Sequence, residues 1–164
     1  MPPEDVKGGH RVLVVDDVPA VRAFLQLALA EQGYEVALAG DGRAGLQLAR
    51  EFRPHLILLD WMMPRMNGAQ VLRVLRRDPQ LRQVPVVLMT GSVGVDELVS
   101  EFGVRWVLEK PFGIADLLMA LEDALAAAPA AEPPATRRGT PAMSPKPDAK
   151  VAPKPDVVPR AACP

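Results

Sequence analysis

Two rhythms of apolar residues alternate along this chain. Short unbroken runs, Val12-Leu13-Val14-Val15, Leu56-Ile57-Leu58-Leu59 and Val86-Val87-Leu88-Met89, are bounded by polar or turn-forming residues. Runs of this kind mark strands covered on both faces. Weaker runs at residues 34–38 and 104–108 supply a second and a fifth strand. Between the runs, apolar positions recur at helical spacing: Val21, Phe24, Leu25, Ala28 and Leu29, then Leu46, Leu48 and Ala49, then Val71, Leu72 and Leu75. Val95, Leu98, Val99 and Phe102 continue the pattern, and Ile114, Leu117, Leu118, Leu121 and Leu125 give its clearest period. Pro19 suits a first helical turn, where its missing N–H is not needed, and Gly33 and Gly103 suit helix ends.

Five strands alternating with five helices predict an α/β fold, a doubly wound five-stranded parallel sheet built from right-handed crossovers. Such sheets bind ligands beyond the carboxyl ends of their strands. The first run ends in Asp16-Asp17, the third in Asp60, the fourth in Thr90 and the fifth delivers Lys110, whereas the second gives only Ala39-Gly40. Acidic residues after strands also cap the next helix, and Asp17 alone reads that way. The five polar groups together read as one crevice.

Clustered carboxylates raise one another's pKa, and a hard divalent cation removes that conflict. Mg²⁺ typically takes one or two carboxylates, waters and a phosphate oxygen. Lys110 suits the negative charge that develops on a phosphoryl group, and Thr90 suits donation to one of its oxygens. One carboxylate then remains as nucleophile for an acyl phosphate.

Composition divides the chain. All seven aromatics precede Pro129, and ten of the 18 prolines lie from Pro129 onward. A segment rich in Pro and Ala without aromatics buries too little to offset its ordering entropy. The organisation expected is a flexible lead-in over residues 1–8, a folded domain over 9–127 and a disordered, basic tail over 128–164. The tail repeats Pro145-Lys146-Pro147-Asp148 as Pro153-Lys154-Pro155-Asp156, which favours an extended spacer. The first 128 residues carry 13 Lys and Arg against 17 Asp and Glu, a net −4, which argues against a nucleic-acid surface. Arg73, Arg76 and Arg77 read as a solvated helix face, and His10 and His55 as ordinary flank residues. One cysteine, Cys163, excludes an internal disulfide. With no leader and no run approaching the ~18 apolar residues of a span, a cytoplasmic location without membrane contact is expected.

Residues 10–127 resemble the receiver domains of two-component response regulators, in particular the stand-alone regulators of chemotaxis. Val14-Val15-Asp16-Asp17, the stretch Asp60-Trp61-Met62-Met63-Pro64-Arg65-Met66-Asn67-Gly68, Thr90-Gly91 and Lys110-Pro111-Phe112 carry the resemblance, in order and on the right strand ends. It implies a flavodoxin-like strand order of 2-1-3-4-5. It also implies Asp60 as phosphoacceptor, and Asp16 and Asp17 holding Mg²⁺ with Asp60 and the Met62 backbone carbonyl. Thr90 and Lys110 become the phosphoryl-binding pair, with a cis Lys110-Pro111 bond. The partners implied are a histidine kinase and a downstream protein or a histidine phosphotransfer protein. The only reaction expected is the domain's own phosphorylation and dephosphorylation.

No helix-turn-helix pattern follows, so no DNA binding by this chain is expected. A Mg²⁺-dependent phosphatase or phosphotransferase with an Asp nucleophile is the alternative, although Met62 stands where such an enzyme carries a second acid. A degenerate receiver fits less well, since all five site residues are present. Two departures bear on output. Val18 follows the acidic pair, where the family often has another acid. Val107 stands three residues before Lys110, where the family commonly has Tyr or Phe, with Trp106 expected to face the other way. The signal is therefore expected to pass through the backbone of Gly91-Ser92-Val93-Gly94 and the helix from Val95.

Overall fold

In a computed structural model, which describes residues 9–91 and 95–128, strands and helices alternate without exception. They are β1 (Arg11–Val15), α1 (Pro19–Glu31), β2 (Glu35–Ala39), α2 (Gly42–Phe52) and β3 (Leu56–Asp60), then α3 (Gly68–Arg77), β4 (Val86–Thr90), α4 (Val95–Phe102), β5 (Trp106–Glu109) and α5 (Ile114–Ala127). The strands form one sheet in the order β2-β1-β3-β4-β5, every pair parallel. This is the doubly wound topology the alternation predicts. The lead-in expected over residues 1–8, the tail from residue 129 and the output segment at Ser92-Val93-Gly94 lie outside the described residues.

The sheet divides the core in two. Along β3 side chains alternate, Ile57 and Leu59 toward one cluster and Leu56 and Leu58 toward the other, as a period of two requires. Leu46 and Ala49 of α2 and Val71, Leu72 and Leu75 of α3 close the first face. Leu25, Ala28 and Leu29 of α1 and Leu117, Leu121 and Ala124 of α5 close the second. All five residues of β3 are buried, which is why this strand carries no polar residue before Asp60.

Helix faces depart from expectation in two places. Phe24 is 42% exposed, although its spacing placed it with the core. At about 100° per residue the arc through Val21, Leu25, Ala28 and Leu29 centres near Leu25, and Phe24 falls outside it. Ile114 opens α5 and is 45% exposed, while Ala124 takes the inward place. Arg76 corrects the reading of a solvated arginine face. It is half-buried, and its Nη1 donates to the carbonyls of Arg82 at 2.9 Å and Val84 at 3.1 Å, closing the chain between α3 and β4. Trp106 and Val107 do face opposite ways, the first packing with α1 and α5 and the second with α2 and α3.

This layering predicts which leucines matter. Leu58→Ala empties a fully buried position in the central strand and should cost about 2–5 kcal/mol in urea unfolding. Leu27, 63% exposed on α1, should tolerate alanine within about 0.5 kcal/mol. Equal losses would mean that α1 presents a different face to the sheet.

Candidate functional site

The site is assembled by the ends of β1, β3, β4 and β5. Asp16 follows β1 and is fully buried. Its Oδ1 accepts the Val18 N–H at 2.9 Å, and its backbone N–H donates to the Ala39 carbonyl at 3.1 Å. Asp17, next along, is half-buried. Asp60 ends β3 with only 4% of its surface exposed. Register places it beside Met89, and the Trp61 N–H donates to the Met89 carbonyl at 2.9 Å, tying the strand end to β4.

Thr90 ends β4 and is buried, and its carbonyl accepts the Lys110 N–H at 2.7 Å. Lys110 follows β5, ahead of a cis bond to Pro111. Its Nζ donates to Asp16 Oδ2 at 3.0 Å and to Asp60 Oδ1 at 3.3 Å. One ammonium thus holds two buried carboxylates from separate strands. Asp16, Asp17 and Asp60 each offer an oxygen within 4.8 Å of the others. Oxygen donors of this kind suit a hard divalent cation and not a soft metal. The acidic cluster therefore fits a metal ion of the Mg²⁺ class.

Burial raises the Asp60 carboxyl to a pKa of about 6; Lys110 opposes the shift, and the Asp16 charge adds to it. Burial also works against the Lys110 ammonium. The hydrogen bond to Asp16 and the charges of Asp60 and Asp16 outweigh it, so Lys110 stays protonated above the usual lysine range.

The loop after Asp60 is held from α3. Asn67 caps that helix, its side chain accepting the Gln70 N–H at 3.0 Å while Gln70 accepts the Asn67 N–H at 3.0 Å. Gly68 lies against the strand end: a Cβ there would stand 2.8 Å from the Asp60 carbonyl oxygen and 2.9 Å from Trp61 Cα. Met62 is 71% exposed, and its N–H faces Asp60 Oδ1 at 3.4 Å.

All five polar residues singled out from the sequence thus meet at one sheet edge, with the Met62 backbone beside Asp60. Two contributors were not visible there. Arg22 of α1 donates from Nη1 to the Asp16 carbonyl at 2.6 Å, and nothing in an exposed-looking helical arginine signals that. Gly68 is the other, and its close approach to the Asp60 strand end has no signal in the sequence alone. His10 and His55 do come together, their rings edge-on at 5.4 Å, with His55 Nδ1 accepting the Arg11 N–H at the far end of β1.

Residues 12–122 match the response regulator receiver domain. Over 105 residues the chain is 42% identical to the DNA-binding response regulator MtrA of Mycolicibacterium smegmatis, covering 63% of this chain and 45% of that protein. It is 36% identical over 110 residues to the DNA-binding dual master transcriptional regulator RpaA of Synechocystis, covering 66% and 46%. The chain therefore spans a little under half the length of these curated relatives.

Among solved structures it resembles the Vibrio cholerae chemotaxis protein CheY4, at 31% identity and a TM-score of 0.66 over 70% of this chain and 98% of that one. It also resembles the receiver domain of the sensor histidine kinase PA1611 of Pseudomonas aeruginosa. There the identity is 29% and the TM-score 0.67, over 73% and 99%, and that structure has a magnesium ion coordinated in its active-site cleft.

These relatives overturn one expectation, that DNA is excluded from the partners of this chain. MtrA and RpaA are DNA-binding regulators, matched here over their receiver part. The exclusion rested on the lack of a helix-turn-helix pattern after the domain and on a net charge, which averages over surfaces. Residues 42–82 hold eight arginines against Glu51, Asp60 and Asp78, and the surplus of acid lies elsewhere. As for membranes, no helix among the described residues is long and apolar enough to cross one. The matched residues and the convergence of Asp16, Asp17, Asp60, Thr90 and Lys110 on one sheet edge together place this chain in the response regulator receiver family of two-component signalling.

Proposed function

We propose that the chain accepts a phosphoryl group on Asp60 from the phosphohistidine of a histidine kinase and signals through the phosphorylated state. The observation that carries this reading is the Lys110 ammonium between Asp16 and Asp60, at 3.0 Å and 3.3 Å. An Asp60 oxygen attacks phosphorus, the P–N bond breaks, and its electron pair leaves on the donor imidazole. The product is an acyl phosphate on Asp60. A Mg²⁺ ion held by Asp16, Asp17, Asp60 and the Met62 backbone carbonyl would neutralise charge on the phosphoryl oxygens. Lys110, kept protonated by its two carboxylates, is placed to follow the transferred negative charge, and Thr90 to donate to a phosphoryl oxygen. Met62 lies two residues after Asp60, where a phosphatase using an Asp nucleophile needs an acid for its leaving group, so transfer to Asp60 is favoured over turnover of phosphoesters.

Labelling tests the assignment. Incubated with acetyl phosphate and Mg²⁺, the protein should gain one phosphoryl group, mapped to Asp60 by mass spectrometry, and Asp60→Asn should gain none. Undiminished labelling of that variant would place the nucleophile elsewhere. Asp17→Asn should weaken the Mg²⁺ response of Trp61 fluorescence by more than the roughly 10–100-fold that loss of an outer-shell partner costs. Equal titrations of the two proteins would move the metal site.

The raised Asp60 pKa also predicts a pH-dependent stability. A carboxyl at about 6 in the fold and 3.8 outside it binds its proton more tightly when folded. The stabilisation this brings is complete below 3.8 and is lost as pH rises through about 6. At pH 7.5 without metal, Asp60→Asn should be more stable than wild type by about 2–3 kcal/mol, at 1.36 kcal/mol per pKa unit. The gap should close as pH falls from 6 toward 4. A gap that does not change with pH would mean the carboxylate carries no burial penalty.

A further inference from the structure

Charge in this domain is segregated, not merely balanced. Between residues 42 and 82, covering α2, β3, the loop after Asp60 and α3, the eight basic residues are all arginine and three residues are acidic. The rest of residues 9–128 holds four basic and twelve acidic residues. α2 and α3, which carry most of these arginines, cover one face of the sheet together with the end of α4, whose Glu101 pairs with Arg73 at 3.6 Å. A groove of ≈ 390 Å³ runs there between the two helices, where Arg43, Arg50 and Arg65 line it with Gln47, Gln70, Leu46 and Met66. Arg43, Gln47 and Arg50 follow one exposed stripe of α2, at i, i+4 and i+7. Arg43 and Arg65 also line the adjoining cleft of ≈ 590 Å³ near the start of α2, together with the Asp41 carboxylate, Pro64 and Met66.

Arg65 is held there by its backbone. Its φ is 67°, in the left-handed region that favours glycine, inside a three-residue turn closed by the Met66 N–H on the Pro64 carbonyl at 2.7 Å. A non-glycine residue in this conformation costs free energy, so the surrounding turn must hold Arg65 in place. Among the described residues Arg43 and Arg65 form no ion pair, while Arg50 pairs with Asp78 at 3.0 Å.

We propose that this arginine-lined groove binds the phosphate backbone of a nucleic acid, without reading its sequence. Guanidinium groups match phosphate oxygens in pairs, and every cation of the segment is a guanidinium. Between them the Gln70 amide adds a neutral donor of the kind that contacts backbone phosphates, whereas Gln47 Nε2 already donates to Glu51 Oε1 at 2.9 Å. A protein partner is disfavoured by the surface itself. Protein interfaces gather apolar residues at their centre, and among the described residues the large exposed apolar ones, Val18, Phe24, Leu27, Met62, Ile114 and Met119, all lie off α2 and α3. The face offers charge and hydrogen bonds, which is what a polyanion takes.

The test is the salt dependence of binding, measured with the full chain and a DNA duplex of about 20 base pairs, two helical turns. Affinity should fall linearly in log–log form between about 50 and 200 mM salt. The double variant Arg43→Gln, Arg65→Gln should bind more weakly at low salt, with the slope reduced by about 2, one for each cation removed. Arg105→Gln, an exposed arginine outside the segment, should leave the slope unchanged. Thermal unfolding and acetyl phosphate labelling of the double variant should match wild type, since neither residue belongs to the Asp60 site. An unaltered slope in the double variant would overturn the proposal, assigning any binding to the basic residues after Pro129. An equal loss from Arg105→Gln would reduce the effect to net charge and overturn it too. Retention of polyglutamate but not of the duplex would give the face to an acidic protein instead.

Discussion

Everything at the strand ends depends on the Lys110 ammonium lying between two buried carboxylates. Asp16 is fully buried and Asp60 nearly so, and water screens neither charge. Two such carboxylates side by side repel, and the cation between them makes the arrangement tenable. The cation must reach the site from the edge of the sheet, because β5 is its outermost strand. Pairing of Thr90 with Glu109 and the Lys110 N–H on the Thr90 carbonyl fix where that side chain starts. The balance is incomplete, as the raised Asp60 pKa shows. A group carrying negative oxygens and bringing a divalent cation resolves that tension better than the protein does alone.

The same constraint explains the loop that follows. A strand buried on both faces has to stop abruptly for its last side chain to open onto the crevice. Trp61 N–H on the Met89 carbonyl is the last rung. Gly68 then brings the start of α3 against the Asp60 carbonyl, closer than any Cβ permits. The Gly68 N–H donates back to the Trp61 carbonyl at 3.0 Å, and the Asn67 cap settles the helix in that place. Asp60 is thus braced from β4 on one side and α3 on the other. Small errors in its position would be costly for an in-line transfer.

The sheet and its functional edge were legible because both rest on local rules. Apolar runs of strand length can only be buried strands in a chain with this alternation, and the residue ending each run has one place to go. Side-chain alternation likewise sent Trp106 and Val107 to opposite faces. Phe24, Ile114 and Arg76 were misread because periodicity gives the direction of a helix face but not its width or what lies beyond its end. Arg76 finds its partners, the carbonyls of Arg82 and Val84, only when the following turn folds back. Net charge failed as a guide to partners for a similar reason. It is a sum over the chain and does not show where the charges lie; eight of the arginines fall between residues 42 and 82.

Val107 leaves the inner side of β5 with a short, stiff side chain where the family commonly has a ring. The contact between site and helix is made elsewhere. Trp61, bonded directly to Asp60, packs edge-on against Phe102 at the end of α4, with centroids 5.6 Å apart. Arg73 of α3 lies over the same Phe102 ring at 5.2 Å, and its guanidinium reaches Glu101 at 3.6 Å. The end of β3, α3 and the last turn of α4 therefore meet at one aromatic pair. Close-packed interiors transmit displacement, and Trp61 gives Asp60 a packed contact with α4 that does not pass through β5. The distance is one residue from Asp60, shorter than a route across the sheet through β4 and β5.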